Sequence, residues 1–269
     1  MRSTYALLAV VVGVAAGRLR PGVISYWDPS TTDFNTIPSG TLAVINPNSG
    51  MFVSETSYAL AANVACYAFT AEQLSIRGAT VLGYVPTGYF NHGCNTEGVC
   101  QTWQRIEANI AAYYSAMPML DGIFFDEAAP SSWDCNAFAA EFAQLRALVY
   151  KYTQKAQIAY NIGIADTCIV PSMQGPNEIY ALFESSMTDF TSQKATVLAT
   201  IKAASSAGLQ TWALVYSVTS AQLPSLVQAV NGTSLTWFYA TDIGGNWQAG
   251  ENTWGAPPAY WGSELALLT

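Results

Sequence analysis

DGIFFDEAAP, residues 121–130, is an apolar run that ends in two adjacent carboxylates. A short, continuous apolar run suits a parallel strand covered on both faces rather than a strand with one wet side. Acids set directly beside such a run are costly unless they are paired or used. Side chains alternate along a strand, so Asp126 and Glu127 cannot both face inward while the strand stays regular. One faces the end of the strand and the other follows the chain out of it.

Seven more runs share this character: Val23–Trp27, Leu42–Ile45, Thr80–Val85, Gln157–Tyr160, Ile179–Phe183, Thr211–Tyr216 and Leu235–Ala240. Helical stretches are predicted between them at Thr56–Ile76, Trp103–Met117, Asn136–Gln154, Thr191–Ala207 and Ser220–Val230, with a last one at Ser263–Leu268. Eight strands alternating with helices match a single-domain (β/α)₈ TIM-type barrel over residues 17–269. An open doubly wound sheet is the competitor, but no GxGxxG turn comes after the first strand.

Apolar residues make up 51% of the 269, and Asp, Glu, Lys and Arg only 10%. The net charge is −8, which argues against nucleic acid, whose phosphates need a basic stripe. A neutral or cationic partner suits the charge better. The first residues, MRSTYALLAVVVGVAAG, have a basic start, an apolar run and a small-residue site. They predict a secretory signal peptide over residues 1–16. The apolar run is short of the ~20 residues of a membrane span. The expectation is a soluble monomer that is secreted, extracellular or cell-wall associated.

Five cysteines then predict disulfides. Cys94 and Cys100 bound a short loop and are the first pair expected, Cys135 with Cys168 the second, and Cys66 is left free. There is one histidine, His92, no CxxC and no GxSxG. No zinc site of the usual ligands and no serine-nucleophile elbow is therefore expected. Asn231-Gly232-Thr233 is a glycosylation acceptor.

The residues at the strand ends point to the site. Tyr26 and Asp28 lie at the first strand's end and Asn46 at the second's. Tyr84 and Tyr89 lie at the third, Asp126 and Glu127 at the fourth, and Asn161 at the fifth. Glu184, Tyr216 and Asp242 end the sixth, seventh and eighth. In a barrel these ends converge on one mouth, where active sites of this fold sit. Polar residues also stand where any strand meets water, and Asn46 before Pro47 is equally what a turn would use. A late aromatic group, Trp237, Tyr239, Trp247 and Trp254, mixes core with surface, and Trp247 is the expected stacking platform. The loop 91–100 should lie at the mouth, with His92 a loop residue or sugar contact.

Carboxylates, amides and aromatic rings at one mouth suit a sugar: hydroxyls take the polar groups, and ring faces stack on Tyr and Trp. Glycoside hydrolysis needs one carboxylic acid and one carboxylate, with no metal or cofactor. Asp126, Glu127 and Glu184 are the catalytic candidates, and the other strand-end residues and Trp247 the substrate-binding ones.

The segments VISYWDP, VINPNSG, VLGYVPTGY, GIFFDE, YNIG and ALFES, in this order, resemble the spherulin-4-like, spherulation-specific family, classed as glycoside hydrolase family 135. The resemblance covers most of the chain after the leader. It implies a (β/α)₈ barrel and endo-acting hydrolysis of α-1,4-linked N-acetylgalactosamine in galactosaminogalactan, and carries the family's important acids to Asp126, Glu127 and Glu184. It also implies secretion, typically by fungi. The chain departs from the family in the cysteine-bounded loop 94–100 and in an Ala-rich helix after the second strand. A catalytically silent wall or spore-coat protein that binds polysaccharide is the alternative. A glycosidase of different specificity on the same barrel is a third reading.

Overall fold

The computed structural model describes residues 18–54, 57–90, 101–129, 135, 137–246 and 249–268. In chain order the elements are β1 (Arg20–Ser25), β2 (Leu42–Ile45), β3 (Phe52–Ser54), β4 (Ser57–Leu60), α1 (Val64–Ile76), β5 (Thr80–Pro86), α2 (Trp103–Ala116), β6 (Gly122–Asp126), α3 (Ala137–Tyr150), β7 (Gln157–Asn161), β8 (Glu178–Ser186), α4 (Met187–Ser206), β9 (Gln210–Tyr216), α5 (Leu223–Asn231), β10 (Trp237–Ala240) and α6 (Trp261–Leu268). Eight strands close a parallel barrel in the order β1-β2-β5-β6-β7-β8-β9-β10, with β10 returning to β1. The remaining two, β3 and β4, form an antiparallel hairpin. The expected single-domain (β/α)₈ barrel is thus the observed fold.

Large rings fill the barrel. Phe124 of β6 meets Trp212 of β9 with ring centroids 5.6 Å apart, and Tyr84 of β5 lies 6.0 Å from Phe124. Strands β6 and β9 are not neighbours, so this contact crosses the interior. Trp212 is satisfied there by donating its indole N–H to the Gly22 carbonyl at 3.1 Å. The outer faces carry a second aromatic layer, in which Tyr160 of β7 and Tyr180 of β8 pack on Phe142 of α3. Gly83 faces outward, and a Cβ there would stand 2.6 Å from the Tyr113 ring of α2. Only glycine lets that helix approach the sheet so closely.

Strand β8 departs from regular alternation. Ala181 pairs with Trp212 and Phe183 with Ala213, which leaves Leu182 as an extra residue, a β-bulge. Tyr180 packs outward on α3, and Phe183 packs outward on Phe190 of α4 at 5.7 Å. Strict alternation from Tyr180 would send Glu184 outward as well. The bulge reverses the parity and leaves Glu184 facing the barrel mouth.

Two expectations need correction. The predicted helix Thr56–Ile76 begins only at Val64, because Ser57–Leu60 form the hairpin strand β4. Arg105 of α2 donates to the Ser54 and Ser57 carbonyls and pins this hairpin, a tertiary contact that overrides local helix preference. The sixth barrel strand does not stop at Phe183: it runs on to Ser186, so Glu184 lies within it.

Cys135 and Cys168 are disulfide-bonded, and Cys66 is free and exposed on α1. The Cys94–Cys100 pair, His92, Trp247 and the leader 1–16 lie outside the described residues. Among the described residues no helix is long and apolar enough to cross a membrane. Asn231 is exposed at the end of α5, whereas the Thr233 hydroxyl is buried on the Val230 carbonyl.

Candidate active site

A cavity of about 560 Å³ opens at the C-terminal mouth of the barrel. Its lining includes Tyr26, Tyr84, Tyr89, Asp126, Glu127, Asn161, Glu184 and Tyr216, all named from their strand-end positions. Each arrives by a local reason. Phe125 packs outward on Tyr160, so its successor Asp126 faces the mouth. Asn161 comes after the outward Tyr160 in the same way. Glu127 takes a left-handed φ of 55°, which ends the strand and lets a second acid reach the same cavity. Non-glycine residues seldom adopt that conformation, and they do so most often at functional sites. Tyr89, also left-handed, stands half-exposed on the rim.

The polar contacts form one network. Tyr84 donates its hydroxyl to Asp126 Oδ2 at 2.6 Å, and Asn161 Nδ2 donates to Asp126 Oδ1 at 2.7 Å. The same Asn161 nitrogen donates to Glu184 Oε2. Glu184 Oε1 accepts the indole N–H of Trp254 at 2.9 Å. Two acceptors sharing one amide nitrogen at ordinary hydrogen-bond lengths lie ~5 Å apart. Glu127 Oε2 accepts the backbone N–H of Gly88 at 3.0 Å, which ties this third acid to the turn after β5.

Burial and like charge set the protonation of the pair. Desolvation raises Glu184 to about 7, and the neighbouring Asp126 charge adds to it, against the donations from Asn161 and Trp254. Asp126 is also raised by burial, but Tyr84, Asn161 and a backbone N–H favour its ionised form. Two carboxyl groups this close share a proton rather than ionise together. The rim hydroxyl of Tyr89 is pushed up to about 12, first by burial and then by all three acids, so it remains a neutral donor.

Three strand-end residues do not line the cavity. Asp28 is exposed and accepts the Ser30 backbone N–H at 2.8 Å. Asn46 is buried and accepts the Gly50 N–H at 3.0 Å, shaping the turn after β2. Asp242 accepts the Ala259 N–H at 3.1 Å, anchoring the long segment before α6. All three satisfy backbone donors in turns, the usual work of Asp and Asn there.

Trp254, Ile162, Gly163 and Ile164 also line the cavity and were not among the sites read from sequence. Trp254 is buried against Tyr239 and Tyr216 with only its N–H committed to Glu184. Its place in the late aromatic group was the available signal. Gly163, with φ 71°, gives its carbonyl to the Glu184 backbone N–H at 3.0 Å, and the YNIG motif marks that turn. Trp237 and Tyr239 of that group are core.

Comparison with known proteins places this arrangement. Among curated protein sequences none matches the chain. The structure is similar to Aspergillus clavatus Sph3, solved in complex with GalNAc, with TM-score 0.66 and 17% identity over 93% of this chain and 97% of that one. It is similar to a mannanase catalytic domain from Streptomyces sp. SirexAA-E, with TM-score 0.56, 14% identity and coverage of 98% and 91%. It also resembles Cel5A (EG2) of Hypocrea jecorina, with TM-score 0.54, 11% identity and coverage of 84% and 89%. These likenesses are of fold. The sequence profile of spherulation-specific family 4 matches residues 19–266, nearly the whole barrel, and the chain belongs to that family.

Proposed function

We propose that this protein is a glycoside hydrolase that cuts within an amino-sugar polysaccharide. Its substrate is an α-1,4-linked N-acetylgalactosamine or galactosamine polymer of the galactosaminogalactan type, and it acts through two carboxyl groups. The carrying observation is the single Asn161 amide that donates to both Asp126 and Glu184. Two carboxyl groups within reach of one amide nitrogen favour the close spacing of retaining enzymes, about 5–5.5 Å, over the wider spacing of inverting ones. The sugar in the similar Sph3 structure supports the choice of monosaccharide.

Glu184, raised to about 7, carries the shared proton. It gives that proton to the glycosidic oxygen as the C1–O bond breaks. Asp126 attacks C1 and forms a glycosyl ester. Glu184, now a carboxylate, takes a proton from water, whose oxygen displaces Asp126 from C1 and restores both groups. Asn161 and Tyr84 stabilise the Asp126 carboxylate each time it is released. Glu127 borders the pair, and its backbone N–H supports Asp126. Tyr26, Tyr89, Tyr216 and Trp254 wall the sugar.

We also place the mature chain, residues 17–269, outside the cell as a monomer. The N-terminal leader and the Cys135–Cys168 disulfide support this location.

The test is reducing-end release from galactosaminogalactan by wild type, Asp126→Asn and Glu184→Gln. Each variant should lose a factor of about 10³ or more while keeping its fold. NMR of the first-formed product should show the anomeric configuration of the substrate. Binding without release by the wild type would instead identify a silent polysaccharide-binding protein.

A further inference from the structure

A second hollow, of about 300 Å³, lies beside the central cavity. That is at the lower end of the range for small-ligand sites. Asn48, Phe52, Val53 and Ser54 bound it from the segment after β2, and Gln101 and Arg105 from the segment entering α2. Both segments lie at the C-terminal ends of the neighbouring strands β2 and β5, so the hollow belongs to the barrel mouth. Gly88 neighbours one lining residue of each cavity. Its N–H holds Glu127, and a Cβ on Gly88 would stand 3.0 Å from the Gln101 Cβ.

The floor is rigid before any ligand arrives. Arg105 is buried, with its guanidinium donating to the Ser57 carbonyl at 2.7 Å and to the Ser54 carbonyl. The Phe52 and Tyr58 rings lie 4.7 and 5.0 Å from its guanidinium carbon. Asn109 is fixed by the Met51 N–H at 2.9 Å and by the Arg105 carbonyl. Pinning the hairpin accounts for these bonds. It does not account for the open volume, whose rim carries the exposed side chains of Asn48, Val53 and Ser54.

Among the described lining residues the two cavities differ in charge. The central one carries three carboxyl groups. Among the described residues lining the second, Arg105 alone is charged, and the rest are amides, hydroxyls and two apolar side chains. A free amine entering there meets a like charge, whereas an amide meets donors for its carbonyl and an apolar wall for its methyl group.

We propose that the hollow is a distal subsite. It takes an N-acylated sugar of the chain that is cut in the central cavity and disfavours a sugar with a free amine. This rests on the polysaccharide reading above. It makes cleavage depend on the acetylation of a residue away from the broken bond.

Val53→Trp tests it, because Val53 is half-exposed on a strand where an aromatic residue is tolerated. Filling the hollow should raise KM about tenfold, near 1.4 kcal/mol, for long N-acetylgalactosamine oligosaccharides and leave the shortest cleaved one unchanged. Ser54→Asp should narrow the wild type's preference for fully acetylated over partly deacetylated oligosaccharides of equal length. Equal effects on long and short substrates, or no effect of either variant, would overturn the subsite. Backbone amide shifts at Met51 and Val53 on adding an N-acetylated oligosaccharide are read independently of turnover. A wild type that shows these shifts but no cleavage refutes the hydrolase and keeps the subsite. Absence of the shifts refutes the subsite whatever the activity.

Discussion

The indole N–H of Trp254 donates to Glu184 Oε1 across 2.9 Å, linking residues 70 positions apart in sequence. Trp254 is itself wedged against Tyr239 at 5.7 Å, so its N–H cannot swing away without disturbing the barrel wall. The acid's orientation is therefore set from the loop before α6, not by its own strand alone.

Trp254→Phe keeps an aromatic ring, a smaller one, and removes the donor. A hydrogen bond to a carboxylate favours its charged form, so its loss should raise the Glu184 pKa further and move the alkaline limb of kcat to higher pH. We expect kcat to fall about tenfold from lost orientation. A pH–rate profile that overlays the wild type would refute the role of this bond.

Glu184 at about 7 also has a consequence for stability. Its folded pKa lies above the unfolded value of roughly 4.3, so the folded chain binds the proton more tightly. That contribution is full below the unfolded value and is lost as pH rises through about 7. Glu184→Gln removes it. Between about pH 5 and pH 8, urea midpoints should fall less steeply for the variant than for the wild type.

Glu264 presents a separate case. It is fully buried on α6, accepts the Ala240 N–H at 2.8 Å, and burial holds its carboxyl well above the usual range. Glu264→Gln keeps the acceptor and cannot ionise, so it should be the more stable protein in alkaline buffer with unchanged kcat. Glu264→Ala strands the Ala240 N–H and should cost about 1–3 kcal/mol. Thermal unfolding of the three proteins across pH decides this.

Gly83→Ala should cost about 1–3 kcal/mol, because the new methyl group meets the Tyr113 ring. Gly262→Ala, in α6 with nothing within 4 Å of the added carbon, should instead gain about 0.5–1 kcal/mol. Chemical denaturation of both variants gives the comparison, and a harmless Gly83→Ala would refute the packing account.

Asp126 and Asn161 were legible because each ends a continuous apolar strand, and alternation from an outward aromatic places them inward. Asp28, Asn46 and Asp242 end strands too, but their carboxylate and amide oxygens go to backbone donors, within the turn for Asp28 and Asn46 and in the segment before α6 for Asp242, which position alone does not foretell. Trp254 could not be placed because its partner is distant in sequence. The β3–β4 hairpin was hidden because its Ala-rich continuation reads as helix until Arg105 is seen holding the Ser54 and Ser57 carbonyls.

The extra residue in β8 makes the aim of Glu184 a matter of counting. Replacing Leu182 by another apolar side chain preserves the count, and the acid keeps its heading. Removing it leaves Tyr180 outward, Ala181 inward, Phe183 outward and Glu184 inward by plain alternation, so the heading survives and only the extra twist of the bulge is lost. A single-residue gap at that point should therefore be tolerated, whereas losing Phe183 as well would turn Glu184 toward the helices and abolish activity.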